Sequence, residues 1–207
     1  MKALLINGSP NAHGCTYTAL TELQHTLEAE GVETELIHVG HKPIRGCIDC
    51  GKCGELGRCV FNDEVNEVAA KLAQADAFVI GAPVYYASPA GTAISFMDRL
   101  FCSTGCIDKT MKVGAAVVTC RRGGNASSFD VLNKYFSISR MPIASSQYWN
   151  MVYGNTAEEV QQDAEGLQTM RTLGRNMAFL MKSIQLGKDQ FGLPEREKFI
   201  ATSFHRE

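Results

Sequence analysis

Residues 2–16 read KALLINGSPNAHGCT, and this stretch decides the fold. Its apolar first half, residues 2–7, predicts a buried strand, and Gly-Ser-Pro at 8–10 predicts the turn that ends it. Three leucines follow at helical spacing, so residues 16–30 are predicted to form a helix that ends at a glycine. The chain therefore opens with a strand, a glycine-containing loop and a helix.

The alternation of strands and helices continues along the chain. Further strands are predicted at 33–39, 77–82, 112–120 and 141–148. Further helices are predicted at 62–74, 89–100, 127–139 and 156–184, the last one interrupted near Gly166. Strands that alternate with helices imply right-handed crossovers and a parallel sheet. We expect an α/β fold, a flavodoxin-like, doubly wound five-stranded parallel sheet of order 2-1-3-4-5 in a three-layer sandwich. A single domain over 1–207 is expected, with a cysteine-rich loop at 43–60.

The composition limits the classes of function. The 207 residues are 45% hydrophobic and 20% charged, which is typical of a globular protein with a sizeable core. A net charge of -2 gives no support to nucleic-acid binding, which depends on neutralising phosphates. No apolar run is long enough for a membrane helix, and the N-terminal residues lack the pattern of a signal peptide. We therefore expect a cytoplasmic protein without nucleic-acid or membrane partners, whose eight cysteines stay reduced, bind metal or react.

The loop after the first strand is a candidate ligand site, since doubly wound sheets bind ligands at the carboxyl ends of their strands. Ser9, Asn11 and Thr16 offer neutral donors beside a helix N-terminus, and the loop contains no Lys or Arg. These features suit a singly esterified phosphate such as that of FMN. The sequence patterns of ATP loops and of dinucleotide-binding loops are absent. A plain strand-to-helix turn fits the same residues.

Two further loops are predicted to form walls of the same crevice. Tyr85 and Tyr86 follow the third strand, where they can flank a flat ring or pack on a neighbouring subunit. Arg121 and Arg122 follow the fourth strand, where they can attract the phosphates of a nicotinamide dinucleotide or remain solvated surface charges.

Four cysteines lie within thirteen residues, in the pattern C-x2-C-x2-C-x5-C at Cys47, Cys50, Cys53 and Cys59. Soft thiolate ligands select an iron–sulfur cluster or zinc, and free or redox-active thiols are the other interpretation. The remaining cysteines, at 15, 102, 106 and 120, are expected to be small buried side chains. Residues 102 and 106 can instead face a subunit interface, and a helix N-terminus would lower the pKa of the thiol at 15.

Three further motifs follow one another along the chain: Gly8-Ser9-Pro10 with Gly14-x-Thr16, then Pro83-x-Tyr85, then Asp98-Arg99. Together they resemble those of the NADPH-dependent FMN reductase branch of the flavodoxin-like family. The cysteine motif resembles that of the iron–sulfur flavoproteins. Many relatives carry a lysine four residues before the Asp-Arg pair, where this chain has Ile94, so no role of that lysine transfers.

The resemblance implies an FMN-dependent NAD(P)H oxidoreductase of the flavin or quinone reductase type, with NADH or NADPH as co-substrate. The cofactor-binding residues it implies are Ser9, Asn11, Gly14, Cys15, Thr16, Pro83, Val84, Tyr85, Tyr86, Ala87, Ser88, Thr119, Arg121, Gly123 and Gly124. The cysteines at 47, 50, 53 and 59 would hold a 4Fe–4S cluster that relays electrons. The hydride step requires no catalytic side chain. Asp98 and Arg99 are expected to form a structural ion pair. A homodimer or homotetramer and a ferredoxin-like partner are implied. The alternative is an electron-transfer or redox-sensing flavoprotein with little turnover.

Overall fold

The computed structural model of the protein describes residues 1–198, 200 and 202, so the single domain predicted over 1–207 extends slightly outside the described residues. The strands are β1 (Lys2–Asn7), β2 (Glu33–His38), β3 (Ala77–Tyr85), β4 (Ser88–Pro89), β5 (Val113–Cys120) and β6 (Met151–Tyr153). The helices are α1 (Cys15–Ala29), α2 (Lys52–Leu56), α3 (Glu64–Gln74), α4 (Gly91–Ser103), α5 (Asn125–Ile138), α6 (Ala157–Gln162) and α7 (Ala164–Phe191). Within the described part of the chain, no helix has both the length and the apolar character to cross a bilayer.

The sheet has the order β2-β1-β3-β5-β6 with parallel pairing, and β4 adds a short antiparallel arm to the end of β3. Side chains of β1 alternate between the two faces, so Leu4 and Ile6 pack in one core while Ala3 and Leu5 pack in the other. Helices α3, α4 and α5 cover the first core, and α1 and α7 cover the second. The predicted doubly wound, three-layer flavodoxin-like fold is confirmed.

Several predicted helix ends are confirmed by their capping residues. Asp63 caps α3 because its carboxylate accepts a hydrogen bond from the Val65 N–H at 3.2 Å. Thr156 accepts from the Glu159 N–H at 3.3 Å and opens α6. The interruption of the long C-terminal helix falls at Asp163, whose carboxylate accepts from the Gly166 N–H at 2.9 Å and thereby caps α7.

The predicted strand at 141–148 is wrong. Only an isolated bridge between Gly114 and Ile143 forms there, and the true edge strand, β6, lies several residues later. Pro142 lacks an N–H for a ladder, and polar residues follow Ala144. Between the isolated bridge and β6, the side chain of Asn150 contacts β5, because its Nδ2 donates to the Ala116 carbonyl at 3.1 Å.

The prediction that Pro89 begins a helix is also wrong, because Pro89 pairs with Val84 in the β3–β4 hairpin. A two-residue turn joins the paired residues Tyr85 and Ser88, and both of its residues have positive φ, at 52° for Tyr86 and 59° for Ala87. This is the geometry of a type I′ turn, which favours glycine and asparagine. Backbone strain is therefore concentrated in one of the loops singled out from the sequence.

The substitution Ala87→Gly is expected to raise the free energy of unfolding by about 1 kcal/mol, because glycine adopts positive φ without steric cost. Urea denaturation of both proteins measures the change. Ala70→Gly, at an exposed site inside α3, is the matched control and is expected to lower the free energy of unfolding by about 1 kcal/mol. Equal destabilisation by both substitutions would contradict the turn assignment.

Candidate functional site

The loops after β1, β3, β5 and β6 enclose a crevice of about 210 Å³ at the carboxyl ends of the strands, here named the strand-end crevice. Its lining residues are Ser9, Asn11, Cys15, Thr16, Pro83, Val84, Tyr85, Thr119, Cys120, Arg121, Gly154 and Asn155. A larger cavity of about 730 Å³ lies beside residues 105–109, near the opposite ends of the strands. Position relative to the sheet therefore favours the strand-end crevice as the ligand site.

Most of the residues predicted to bind the cofactor meet in the strand-end crevice. Six of them lie outside its lining: Gly14, Tyr86, Ala87, Ser88, Gly123 and Gly124. Gly14 instead caps the N-terminus of α1, and Gly124 caps α5 with a φ of 88°. Sequence reasoning missed Cys120 and the loop residues Gly154 and Asn155. Gly154 and Asn155 follow β6. They were missed because the sequence predicts the edge strand at 141–148, before the position of β6.

Buried side chains fix the loop after β1. The Oδ1 atom of Asn7 accepts from the Ser9 N–H at 3.0 Å, and Asn7 Nδ2 donates to the Ala12 carbonyl at 3.2 Å. The Ser9 hydroxyl oxygen in turn accepts from the Asn11 N–H at 3.1 Å. Gly40 packs against this loop so closely that a Cβ there would lie 2.2 Å from the Ser9 carbonyl oxygen. The loop is therefore held in one conformation by its surroundings.

The strand-end crevice offers neutral donors and a positive partial charge. The first turn of α1 contains no acidic residue, so its free N–H groups present the positive end of the helix dipole. The hydroxyl groups of Thr16 and Thr119, both buried, lie 2.9 Å apart and share one hydrogen bond. These donors of the first loop and of Thr119 suit a phosphate group without a cation of their own, and Arg121 lies on another wall of the crevice.

The thiol of Cys15 lies at the N-terminus of α1 and donates to the Gly154 carbonyl at 3.5 Å. Burial raises the pKa of the Cys15 thiol, and the nearby Glu159 and Glu158 carboxylates act in the same direction. The pKa of the Cys15 thiol is therefore raised, opposite to the lowering expected at a helix N-terminus, because burial outweighs the hydrogen bond from the Cys15 backbone N–H. Cys15 is thus a neutral wall of the strand-end crevice.

The crevice volume is below the 300–1,000 Å³ that is common for ligand pockets, so it fits only part of a large cofactor. Tyr85 stands at its rim with 50% of its surface exposed, and Tyr86 is fully exposed in the neighbouring turn. A ligand anchored in the crevice would extend across this aromatic rim. The exposed rings leave room for a flat ring system or a second subunit above them.

The second candidate site is a cavity of about 50 Å³, here named the cysteine pocket. It is lined by Cys47, Ile48, Asp49, Cys50, Gly51, Cys53, Cys59, Val60, Phe61, Arg99, Cys102 and Ser103. The four cysteines predicted to bind metal therefore meet, together with a fifth, Cys102, from the end of α4. The expectation that Cys102 is a buried structural side chain is wrong, since the residue is exposed. Partial desolvation and the neighbouring thiols of Cys53 and Cys47 raise the pKa of Cys102 to about 11.

The thiols of the cysteine pocket are soft donors of the kind that an iron–sulfur cluster takes. Among the described residues, no three potential ligand side chains converge on one ion position. In a 4Fe–4S cluster each thiolate binds its own iron, so the sulfur atoms need not converge on one point. The cavity has room for only a few water molecules. The exposed residues 45–50 would therefore have to shift outward to admit a cluster.

The predicted ion pair between Asp98 and Arg99 is wrong. Arg99 is 1% exposed and pairs with Asp63, with a distance of 2.7 Å between Nη1 and Oδ2. Asp98 accepts a hydrogen bond from the Tyr135 hydroxyl instead. Adjacent residues of a helix project about 100° apart, which explains why the two side chains have different partners.

Comparisons with known proteins find a matching family model, relatives of similar sequence and solved structures of similar fold. A family model described as NADPH-dependent FMN reductase matches residues 1–156. An iron–sulfur flavoprotein from Methanocaldococcus jannaschii is 31% identical over 192 residues, which cover 89% of this chain and 100% of that protein. A solved flavodoxin from the domain Archaea has a TM-score of 0.60 at 16% identity, covering 88% of this chain and 99% of its own. The NAD(P)H:quinone oxidoreductase from Methanothermobacter marburgensis has a TM-score of 0.65 at 14% identity, covering 86% and 98%. At these identities the two solved structures establish the fold alone.

Proposed function

The chain belongs to the NADPH-dependent FMN reductase family, and from this premise we propose that it is an FMN-dependent oxidoreductase. In the proposed reaction, NADH or NADPH gives a hydride, and the electrons pass to a quinone-type or flavin-type acceptor. FMN, when bound, supplies the acceptor for the hydride and releases electrons singly or in pairs. The observation that carries the proposal is the strand-end crevice, with neutral donors at the N-terminus of α1 and an aromatic rim.

The place of each residue in the strand-end crevice indicates which part of the cofactor it would contact. We assign the phosphate to the Ser9, Asn11 and Thr16 side chains and to the free N–H groups of α1. Tyr85 would cover part of the ring system, because an exposed aromatic side chain at the rim can bury a flat ligand face. The chain's own residues bind and orient the cofactor, and the hydride step requires no side chain as acid or base.

The proposal is tested by mixing the FMN-loaded protein with NADPH or NADH without oxygen and following the flavin absorption. Rapid bleaching, with reoxidation by a quinone, is the expected result. Bleaching by a reduced ferredoxin but by neither nicotinamide would contradict the reductase and favour the second candidate.

The second candidate is an electron-transfer or redox-sensing flavoprotein with protein partners. The five thiols of the cysteine pocket favour it, as does the name of the Methanocaldococcus relative. We propose a 4Fe–4S cluster on Cys47, Cys50, Cys53 and Cys59 for both candidates. In the reductase it would relay electrons from the flavin, and in the second candidate it would exchange single electrons with a ferredoxin-like protein. We propose a homodimer or homotetramer for both candidates, since the exposed aromatic rim leaves room for a second subunit.

Arg121 is expected to contribute to nicotinamide binding, because it lines the strand-end crevice and Arg122 does not. Arg121→Gln should raise the KM for NADPH about tenfold with little change in kcat, since a charge-assisted contact to phosphate contributes about 1.5 kcal/mol. Arg122→Gln is the matched control, with the same loss of charge one residue away. An equal rise of KM in both variants would indicate a general charge effect instead of a contact.

A further inference from the structure

A buried guanidinium group contacts one of the five thiols. Arg99 donates to the Cys59 sulfur from both Nε, at 3.3 Å, and Nη2, at 3.2 Å. The same guanidinium donates to both carboxylate oxygens of Asp63, at 2.7 Å and 2.9 Å. Cys59 and Asp63 therefore share one cation on the inner wall of the cysteine pocket.

Cys59 is also the only one of the four predicted ligands that is buried, within the part of the chain that is described. Asn66 fixes its backbone, because Asn66 Oδ1 accepts from the Cys59 N–H at 2.9 Å and Nδ2 donates to its carbonyl at 3.0 Å. Cys47 and Cys50 lie in an exposed segment without regular structure. Both the main chain and the sulfur of Cys59 are therefore held before any metal binds.

We propose that Arg99 is a positioning residue that fixes Cys59 as a cluster ligand and raises the reduction potential of the cluster through its two N–H···S bonds. This inference rests on the proposed function, since it needs the 4Fe–4S cluster. Reduction adds negative charge to the cluster and its sulfur ligands. Donors from a permanently charged guanidinium stabilise that charge, so they favour the reduced form.

Asp63 is expected to lower the reduction potential of the cluster, opposite to the effect of Arg99. Its carboxylate partly neutralises the guanidinium, because it accepts from the Nη1–Nη2 edge next to the Nε–Nη2 edge that faces Cys59. Asp63 also caps α3, a role that asparagine can fill equally well. The contacts therefore predict opposite shifts of potential when the cation is removed and when its counter-charge is removed.

The test is a reductive titration of the cluster in the FMN-loaded protein, followed by electron paramagnetic resonance. Arg99→Met should lower the potential by about 59 mV, which corresponds to a tenfold change in the ratio of reduced to oxidised cluster. Arg99→Lys, which keeps the charge but not the fork of donors, should fall between Arg99→Met and the unaltered protein. Asp63→Asn should raise the potential while leaving α3 capped.

Arg58→Gln is the matched control, because Arg58 is exposed, adjacent to Cys59 in sequence and equal in charge. It should leave the potential within about 10 mV of the unaltered protein, a small part of a tenfold change. Unchanged potentials in both Asp63→Asn and Arg99→Lys would overturn the inference and leave the cluster itself established, even if Arg99→Met fails to fold. An unaltered protein that takes up no iron would overturn the inference together with the proposed cluster.

Discussion

Cys59→Ala is expected to yield a yellow protein that retains FMN and contains at most about a tenth of the iron of the unaltered protein. The loss is large because Cys59 is the ligand that Asn66 and Arg99 hold in place. Iron assay and the visible spectrum of protein purified without oxygen measure the effect. FMN is retained because the strand-end crevice and the cysteine pocket share no lining residue.

Two neighbouring cysteines provide controls. Cys102→Ala should keep the iron, because Cys102 is exposed and lies at the end of α4, outside the C-x2-C-x2-C-x5-C motif. Cys106→Ala should also keep it, since Cys106 is exposed and does not line the cysteine pocket. Loss of iron in Cys102→Ala with retention in Cys59→Ala would reassign the fourth ligand from Cys59 to Cys102.

Thr16→Val should weaken FMN binding by about 10-fold to 100-fold, because a hydrogen bond to a charged group contributes about 1.5–3 kcal/mol. Valine keeps the shape of threonine but removes the hydroxyl that pairs with Thr119 and faces the strand-end crevice. Fluorescence titration of the metal-free protein with FMN measures the dissociation constant.

Thr21→Val is the matched control on the same helix. Within the described residues the Thr21 hydroxyl is buried without a hydrogen-bond partner, so its removal should leave FMN binding unchanged and stability equal or higher. An FMN affinity of Thr16→Val equal to that of Thr21→Val would place the phosphate elsewhere.

The sequence predicts those parts of the fold that depend on local patterns. The apolar run of β1 and the cap at Asp63 lie where their patterns place them. The edge strand does not, because Pro142 interrupts the ladder in a segment that otherwise looks like a strand. Just before β6, Asn150 Nδ2 donates to the Ala116 carbonyl of β5, a contact that no local sequence pattern indicates.

In the candidate sites too, local patterns predict some residues, and contacts between distant parts of the chain determine the others. Spacing alone predicts the cysteine motif and the donors of the first loop. The contact between Arg99 and Cys59 joins residues forty positions apart, and Cys102 reaches the cysteine pocket only because α4 ends there. Such contacts depend on the packing of the layers. Single-sequence reasoning therefore assigned Arg99 and Cys102 to the wrong surroundings.

The most direct test of the account is to purify the protein without oxygen and to assay FMN, iron and sulfide on the same sample. The account predicts one FMN and about four irons per chain, with flavin bands beneath a broad brown absorption. A yellow protein with FMN but without iron, even after reconstitution, would contradict the cluster and leave the flavin site standing. A colourless protein that takes up no FMN on reconstitution would contradict the central claim that the strand-end crevice is a flavin site.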